Sequence, residues 1–149
     1  MSISFNIRAV NKNDLPDLLE LYLDLNDTEI LPLTMESQKI WDEIFKDPNY
    51  HILIGEEKGK MIASATVIII KNLTRGMRPF AFVQNVVTAA NVVNNGYSIL
   101  LLERAIEIAE SANCYKIMLM SGTKSENTLN FYKKAGFTDH GKSAFVKHF

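Results

Sequence analysis

The stretch FVQNVVTAANVVNNGYSILLLERAIEIAESA, residues 82–112, decides the fold class because its hydrophobic period changes at a turn. Residues Phe80–Thr88 have the continuous apolar pattern of a buried strand. The polar turn Asn94–Ser98 contains a glycine, and apolar residues then recur at helical spacing from Tyr97 to Ala112. A buried strand that passes through a polar turn into a long amphipathic helix is typical of an α/β protein.

The last third of the chain continues the alternation of strands and helices. Tyr115–Met120 predicts a short buried strand, and Ser125–Ala135 predicts a helix that ends before Gly136. Phe137–Phe149 predicts one or two final strands broken near Gly141.

The N-terminal half adds two helices and three strands to this unit. We predict, in order, a strand at 3–9, a helix at 15–25, a helix from 34 to a stop at 47–48, and strands at 50–56 and 61–71. The loop Glu57–Lys60 is a short hairpin connection with a glycine. Three consecutive strands followed by β-α-β-α predict an α/β fold with a mixed central sheet, antiparallel at first and then parallel, flanked by helices.

Composition limits the classes of function. The chain has 149 residues, a net charge of −1 and 47% hydrophobic residues, which fits one globular domain over residues 1–149. The balanced charge gives no basic footprint for nucleic acid or an anionic membrane. No apolar stretch is long enough to cross a bilayer.

Cysteine and histidine usage argues against a metal centre. Cys114 is the only cysteine, so an internal disulfide framework and a cysteine-based zinc site are excluded. The three histidines are scattered without acidic neighbours at ligand spacing, and we expect no metal. A lone cysteine and an N-terminus without a secretion signal predict a cytoplasmic protein.

The turn before the long helix is a candidate anion site. Free N–H groups and the positive end of the helix dipole meet at Asn94–Ser98, and Gly96 lets the backbone approach a phosphate. The alternative is that this glycine serves only the turn.

Three stretches, Gln84–Thr88, Asn94–Ala105 and Cys114–Phe137, resemble the GNAT superfamily of N-acetyltransferases. The ending NFYKKAGF, residues 130–137, is especially typical, and the order of elements agrees along nearly the whole chain. The resemblance implies a GNAT fold that binds acetyl-CoA where the fourth and fifth strands separate. It also implies direct transfer of the acetyl group to a primary amine of a small molecule or peptide, in a ternary complex.

The resemblance implies roles for particular residues. The backbone of Val86, Val87 and Thr88 would pair with the pantetheine arm, and Tyr132 would protonate the leaving thiolate. Gln84 would orient the amine or a water. The remaining cofactor contacts would come from the amides of the turn and from the start of the last helix: Asn94, Asn95, Gly96, Tyr97, Ser98 and Ser125.

The sequence departs from the family pattern near the ligand. Val93 replaces the leading Gln or Arg of the pyrophosphate signature, and Ser98 replaces its last small residue. Gln84 and Ala89 stand where the resembling branch usually has Glu and His, and Ser125 where many members have Asn or Arg. The alternative function is therefore a catalytically weakened or inactive GNAT-fold module that binds acyl-CoA or a partner protein.

Several residues keep a structural alternative. Tyr132 is equally well interpreted as a packed aromatic, and Gln84 as a polar residue at a strand kink. Arg75 and Arg78 either face the cofactor or acceptor, or are solvated charges. The aromatic C-terminus, which includes Phe145 and Phe149, either pairs across a homodimer or finishes the sheet of a monomer.

Overall fold

The computed structural model describes residues 5–25, 33–92, 96–121, 125–139 and 141–149. Within them a five-stranded sheet has the order β1-β2-β3-β4-β5. Its strands are β1 (Phe5–Ala9), β2 (Tyr50–Glu57), β3 (Lys60–Ile70), β4 (Phe80–Thr88) and β5 (Ile117–Leu119). The first four strands pair antiparallel, and β4 and β5 pair parallel, which confirms the predicted mixed sheet.

Four α-helices flank this sheet. They are α1 (Leu15–Leu21), α2 (Met35–Lys46), α3 (Tyr97–Ser111) and α4 (Glu126–Lys134). No helix in the described ranges is both long and apolar enough to cross a membrane.

The first predicted helix is shorter than its apolar pattern indicated. A 3-10 turn at Lys12–Asp14 precedes α1, and a second at Tyr22–Asp24 follows it. The N-cap is Asn11, whose side chain accepts from the amide of Asn13, while the Asp14 carboxylate accepts from the amide of Asn11. This capping box begins the 3-10 turn that leads into α1.

The turn between β2 and β3 follows the sequence prediction. Lys58 and Gly59 both have positive φ, at 52° and 76°. A two-residue loop with both residues in the left-handed region is the turn type that matches the twist of antiparallel strands.

The main core lies between α3 and the sheet. Leu101, Leu102 and Ala105 of α3 are completely buried, and they pack in one cluster with Ala63, Ala65 and Val67 of β3. A second cluster joins α1 to α2 through Leu18 and Trp41. Because α3 supplies so much of the main core, the position of its N-terminus is fixed by packing.

The prediction of one or two final strands at Phe137–Phe149 is wrong. Within the described residues after α4 no strand is present, and Phe145 is 94% exposed. A strand needs a neighbour for its ladder of hydrogen bonds, and the described part of the chain supplies no such neighbour for this segment.

Replacing Leu101 by Ala should lower the free energy of unfolding by about 2–5 kcal/mol, because it leaves a cavity in the main core. Leu100, its neighbour in α3, is 42% exposed and provides a matched control. Leu100→Ala should cost less than about 1 kcal/mol. Urea denaturation of both variants measures the difference, and equal losses would contradict this placement of α3.

A network of charged side chains ties β1 to the start of the first helix and to β2. The Arg8 guanidinium donates two hydrogen bonds to the Asp14 carboxylate, at 2.6 and 2.9 Å, and a third to Glu56. The hydrogen bonds from Arg8 hold the pKa of Asp14 below its ordinary value, although burial of the carboxyl opposes the shift.

Because the pKa of Asp14 is lower in the folded chain, its stabilising contribution is present above about pH 4 and disappears as the pH falls below that value. At pH 7, Asp14→Asn should therefore lower the free energy of unfolding by about 1–3 kcal/mol. The difference between the wild type and the variant should shrink as the pH falls from 7 to 3. Denaturation curves at the two pH values test this, and a pH-independent difference would exclude the charge as its cause.

Candidate active site

The parallel pairing of β4 with β5 ends early. Ala81, Phe82 and Val83 pair with Ile117, Met118 and Leu119, and the described residues contain no further β5 partner for β4. Within the described residues, the second half of β4, Gln84–Thr88, therefore has no strand partner on the β5 side. The resemblance predicts that the ligand binds where these two strands separate.

A β-bulge lies where the strands separate. Ser64 of β3 opposes Val87 and Thr66 opposes Gln84, so Asn85 and Val86 together face the single residue Ala65. Asn85 has a φ of 52°. A bulge leaves main-chain groups outside the ladder and redirects them.

A polar cluster lies behind the bulge, and sequence reasoning missed it. Burial raises the pKa of the Tyr22 hydroxyl, and its interactions with Thr66, Ser64 and Asn85 oppose the shift. The Ser64 hydroxyl donates to the carbonyl of Leu53 at 2.9 Å. The phenol of Tyr22 is therefore neutral at neutral pH and lies close to the bulged segment. The signal in the sequence was Asn85 itself, since asparagine in an apolar strand tolerates a left-handed backbone.

Asp24 connects the second 3-10 turn to the end of β4. Its Oδ2 accepts a hydrogen bond from the amide of Ala90 at 3.1 Å. This hydrogen bond tethers the 3-10 turn to the residues that follow β4. The hydrogen bond thereby holds Asp24, just before segment 26–32, beside the end of β4.

A cavity of about 870 Å³ opens between the end of β4, the start of α3 and one side of α4. Polar and basic residues of α4, including Asn127, Lys133 and Lys134, lie in its wall with Thr88 and Ser98. Lys133 and Lys134 appeared in the sequence only as charges at the end of a helix. Their place in this cavity provides positive charge for an anionic ligand.

The N-terminus of α3 lies at this cavity, since Gly96, Tyr97 and Ser98 line it. Gly96 precedes the helix with a φ of 78°, and no side chain makes a capping hydrogen bond there within the described residues. Uncapped first-turn amides and the helix dipole favour an anion at this end. The predicted contacts of Asn94 and Asn95, and the substitution at Val93, lie outside the described residues.

Two side chains of the predicted site hold the wall of the cavity. The hydroxyls of Thr88 and Ser98 form a short hydrogen bond that joins β4 to the first turn of α3. The ring of Tyr97 instead stacks on Phe5, with ring centroids 4.2 Å apart, and its hydroxyl donates to Glu57 at 3.3 Å. The side chain of Tyr97 therefore anchors α3 in the core.

Tyr132 lies on α4 near the end of β5. Its ring packs edge to face against Phe131 and Phe137, with centroids 5.0 and 6.3 Å away. Burial raises the pKa of its phenol, and a hydrogen bond with Ser121 opposes the shift. Tyr132 is thus a packed aromatic with a neutral hydroxyl at neutral pH, although it is not among the residues that line the cavity.

Ser125 has a local partner. It is the N-cap of α4, where its hydroxyl accepts from the amide of Thr128 and donates to the Thr128 hydroxyl at 2.8 Å. This capping contact is observed, and the contact of Ser125 with the cofactor stays a prediction.

The two arginines of the loop before β4 have structural roles. Arg78 donates to the carbonyls of Asn113 and Cys114, and Arg75 lies over the ring of Tyr115. Both arginines thus fasten the connection between α3 and β5, at the opposite end of β4 from Thr88.

Burial raises the pKa of the Cys114 thiol, which disfavours a nucleophilic thiolate. Among the described residues, no cluster of His, Cys, Asp and Glu could hold a metal ion.

Comparisons with known proteins agree with this geometry. A sequence profile of the acetyltransferase (GNAT) family matches residues 15–137. The chain belongs to the GNAT family. It is 31% identical over 140 residues to a glucosamine 6-phosphate N-acetyltransferase of Trypanosoma brucei brucei, covering 93% of this chain and 92% of the relative. The GNAT chain described here is accordingly an acetyl-CoA-dependent N-acetyltransferase.

Solved structures give the same family. A protein from Agrobacterium tumefaciens C58, described as an acetyltransferase, is 37% identical with a TM-score of 0.88, over 96% of this chain and 99% of its own. An acetyltransferase of Trypanosoma brucei is 27% identical with a TM-score of 0.84, over 97% and 100% of the two chains. These similarities confirm the predicted GNAT fold.

Replacing Asn85 by Val should impair transfer, because a β-branched residue strains the left-handed backbone of the bulge by about 1–2 kcal/mol. We expect kcat/KM for acetyl transfer to fall at least about tenfold. Asn85→Gly keeps the bulge and provides the matched control, with a loss smaller than that of Asn85→Val. Steady-state kinetics of both variants test this prediction, and equal losses would show that the Asn85 side chain matters rather than its backbone.

Proposed function

We propose that this GNAT enzyme acetylates the primary amine of a small amino sugar phosphate, with glucosamine 6-phosphate as the first acceptor to test. The observation that supports acetyl transfer at this place is the separation of β4 and β5 beside the uncapped start of α3. The acceptor class follows from the trypanosome relative, which this chain matches over more than nine-tenths of both lengths.

The residues of the crevice fit acetyl-CoA. The free edge of β4 at Val86–Thr88 offers main-chain groups to the amides of a pantetheine arm, as an added strand would receive them. The first-turn amides of α3 face the position of the pyrophosphate. Lys133 and Lys134 supply cationic groups to the phosphates from the opposite wall.

The bulge has a role in the chemical step. The amine nitrogen attacks the thioester carbonyl carbon, so that negative charge develops on the carbonyl oxygen. A main-chain N–H that the bulge releases near Val86 would stabilise this charge. The polar cluster around Tyr22 would hold this N–H in place.

Protons move at two points in direct transfer. The amine must lose a proton as its bond to the acetyl carbon forms, and Gln84 can orient it toward water but cannot accept the proton. The carbon–sulfur bond then breaks, and the thiolate needs a proton. Tyr132 would supply it, since burial keeps its phenol protonated at neutral pH. We expect this reaction in the cytoplasm, whose reducing conditions suit the single cysteine.

Tyr132→Phe should lower kcat by about 10²-fold and leave KM for acetyl-CoA within about twofold, because the hydroxyl acts on the leaving group alone. Stopped-flow or steady-state thiol release measures both constants. Phe131→Leu, on the same helix, controls for disturbed packing. A kcat that matches the wild type would remove Tyr132 from the mechanism.

The acceptor is tested with an amine panel in the same thiol-release assay. Glucosamine 6-phosphate should give the highest kcat/KM, glucosamine should be at least about tenfold poorer, and an N-terminal peptide amine poorer still. Equal values for the two sugars would contradict recognition of the phosphate. Faster reaction with the peptide would overturn the proposed acceptor class and leave the acetyltransferase activity in place.

A further inference from the structure

Two aromatic rings are stacked where β1 meets the start of α3. Phe5 of β1 and Tyr97, the first residue of α3, lie nearly parallel, with 4.2 Å between the ring centroids and 13° between the ring planes. Tyr97 is 7% exposed, and Phe5 packs against the main core. Aromatic pairs contribute stability beyond the area that they bury. The stack therefore joins the first strand of the sheet to the first turn of α3.

Gly55 of β2 makes room for the Phe5 ring. A Cβ added at Gly55 would lie 2.6 Å from Cε2 of that ring, well inside the ordinary contact distance of about 3.5–4.0 Å between carbon atoms. The φ of Gly55 is not positive, so the position needs the absence of a side chain and not a left-handed backbone. Glycine inside a strand often marks such a close approach. The Phe5 ring is thus placed by its contacts with Gly55 on β2 and with Tyr97 on α3.

A hydrogen bond holds Tyr97 to the same part of the sheet. Its hydroxyl donates to the Glu57 carboxylate at 3.3 Å, and Glu57 pairs with Phe5 between β2 and β1. Burial raises the pKa of the Tyr97 phenol, and the negative charge of Glu57 raises it further. The hydroxyl therefore stays protonated at neutral pH and can donate. Both the ring and the hydroxyl of Tyr97 are fixed by residues of β1 and β2.

The position of Tyr97 decides where the first amides of α3 lie. Leu101 and Leu102 fix the helix from its second turn onward. Helix ends fray, however, and no side chain caps this one within the described residues. Gly96, Tyr97 and Ser98 line the cavity at this end. Amides that are already held in the geometry of a bound anion bind it more tightly, because less order has to be gained on binding.

We propose that Phe5 and Gly55 are positioning residues for the diphosphate of acetyl-CoA. They act through Tyr97, whose ring they hold, so that the amides in the first turn of α3 keep the geometry that binds the phosphates. Neither Phe5 nor Gly55 is among the residues that line the cavity, so their effect on the ligand is indirect. This inference rests on the proposed place of acetyl-CoA, with its pyrophosphate at the start of α3, and not on the identity of the acceptor.

Calorimetry with CoA measures the effect on binding without turnover. Gly55→Ala pushes a methyl group into the Phe5 ring, and Phe5→Leu removes the stack. Each change should raise the dissociation constant for CoA at least about tenfold, at a temperature where circular dichroism shows the variant to be folded. Leu18→Ala is the matched control, because it removes a buried side chain from the second cluster, between α1 and α2. This control should bind CoA within about twofold of the wild type.

A double variant tests the contact between the two residues. Leucine in place of Phe5 leaves room for a methyl group at position 55. Gly55→Ala should therefore cost much less CoA affinity in the Phe5→Leu background than in the wild type, since residues that act through one contact are not additive. Fully additive losses of affinity would show that Gly55 and Phe5 act separately, and would contradict the stack.

A shortened substrate shows whether the loss belongs to the diphosphate. S-acetyl-pantetheine carries the same thioester and pantetheine arm as acetyl-CoA and lacks the phosphates. Gly55→Ala and Phe5→Leu should lower kcat/KM for acetyl-CoA at least about tenfold and leave kcat/KM for acetyl-pantetheine within about twofold of the wild type. The ratio of the two constants does not depend on the folded fraction, so a partly unfolded variant still gives a valid answer.

Two results would overturn the proposal in different ways. Wild-type affinity for CoA in both single variants, or equal losses with the two substrates, would remove Phe5 and Gly55 from ligand positioning and leave the acetyltransferase activity in place. Equal kcat/KM of the wild type for acetyl-CoA and acetyl-pantetheine would show that the diphosphate contributes nothing, and would also contradict the proposed place of the cofactor.

Discussion

Within the described residues, strands β4 and β5 share three residue pairs and no more, and the rest of the proposed site depends on this limit. Beyond Val83 the free edge of β4 takes no strand from the described chain and is open to a ligand. The bulge at Asn85 and Val86 lies at the point of separation and changes the direction of the main chain there. The N-terminus of α3 reaches the same place because Leu101, Leu102 and Ala105 fix the helix in the core.

The proposed site uses mainly main-chain groups, which would let it tolerate unusual side chains. The amides of a helix start and of a bulged strand are present whatever residues occupy those positions. Ser98 illustrates this, since its hydroxyl bonds to Thr88 and reinforces the wall while its amide stays in the first turn. Departures from a family signature can therefore leave a phosphate-binding geometry in place, provided that the packing behind it is preserved.

Much of the fold was predictable from local signals. Three of these signals each have a physical cause within a few residues. They are the change of hydrophobic period at Asn94–Ser98, the glycine of the β2–β3 loop, and Thr34, which caps α2. The limits of β4 were predicted from its largely apolar residues, although Gln84 and Asn85 interrupt the run. The prediction of a final strand failed because a strand is completed by a neighbouring strand, and the described residues supply none for residues 141–149.

The site was less predictable than the fold. Tyr22 and Thr66 are distant in sequence and meet only after β3 and β4 pair, so no local pattern could place them behind the bulge. Tyr97 was predicted to contact the cofactor through its main-chain amide, and the structure shows that its ring anchors α3 in the core. Lys133 and Lys134 looked like ordinary charges at a helix end, and only the tertiary structure brings them to the cavity.

The most direct test of the account is a crystal structure of the protein soaked with acetyl-CoA. The account predicts density for the pantetheine arm along Val86–Thr88, between β4 and β5, with the pyrophosphate within hydrogen-bonding distance of the first amides of α3. Density for the ligand on another face of the sheet, or β4 and β5 paired to the end with the crevice closed, would contradict it.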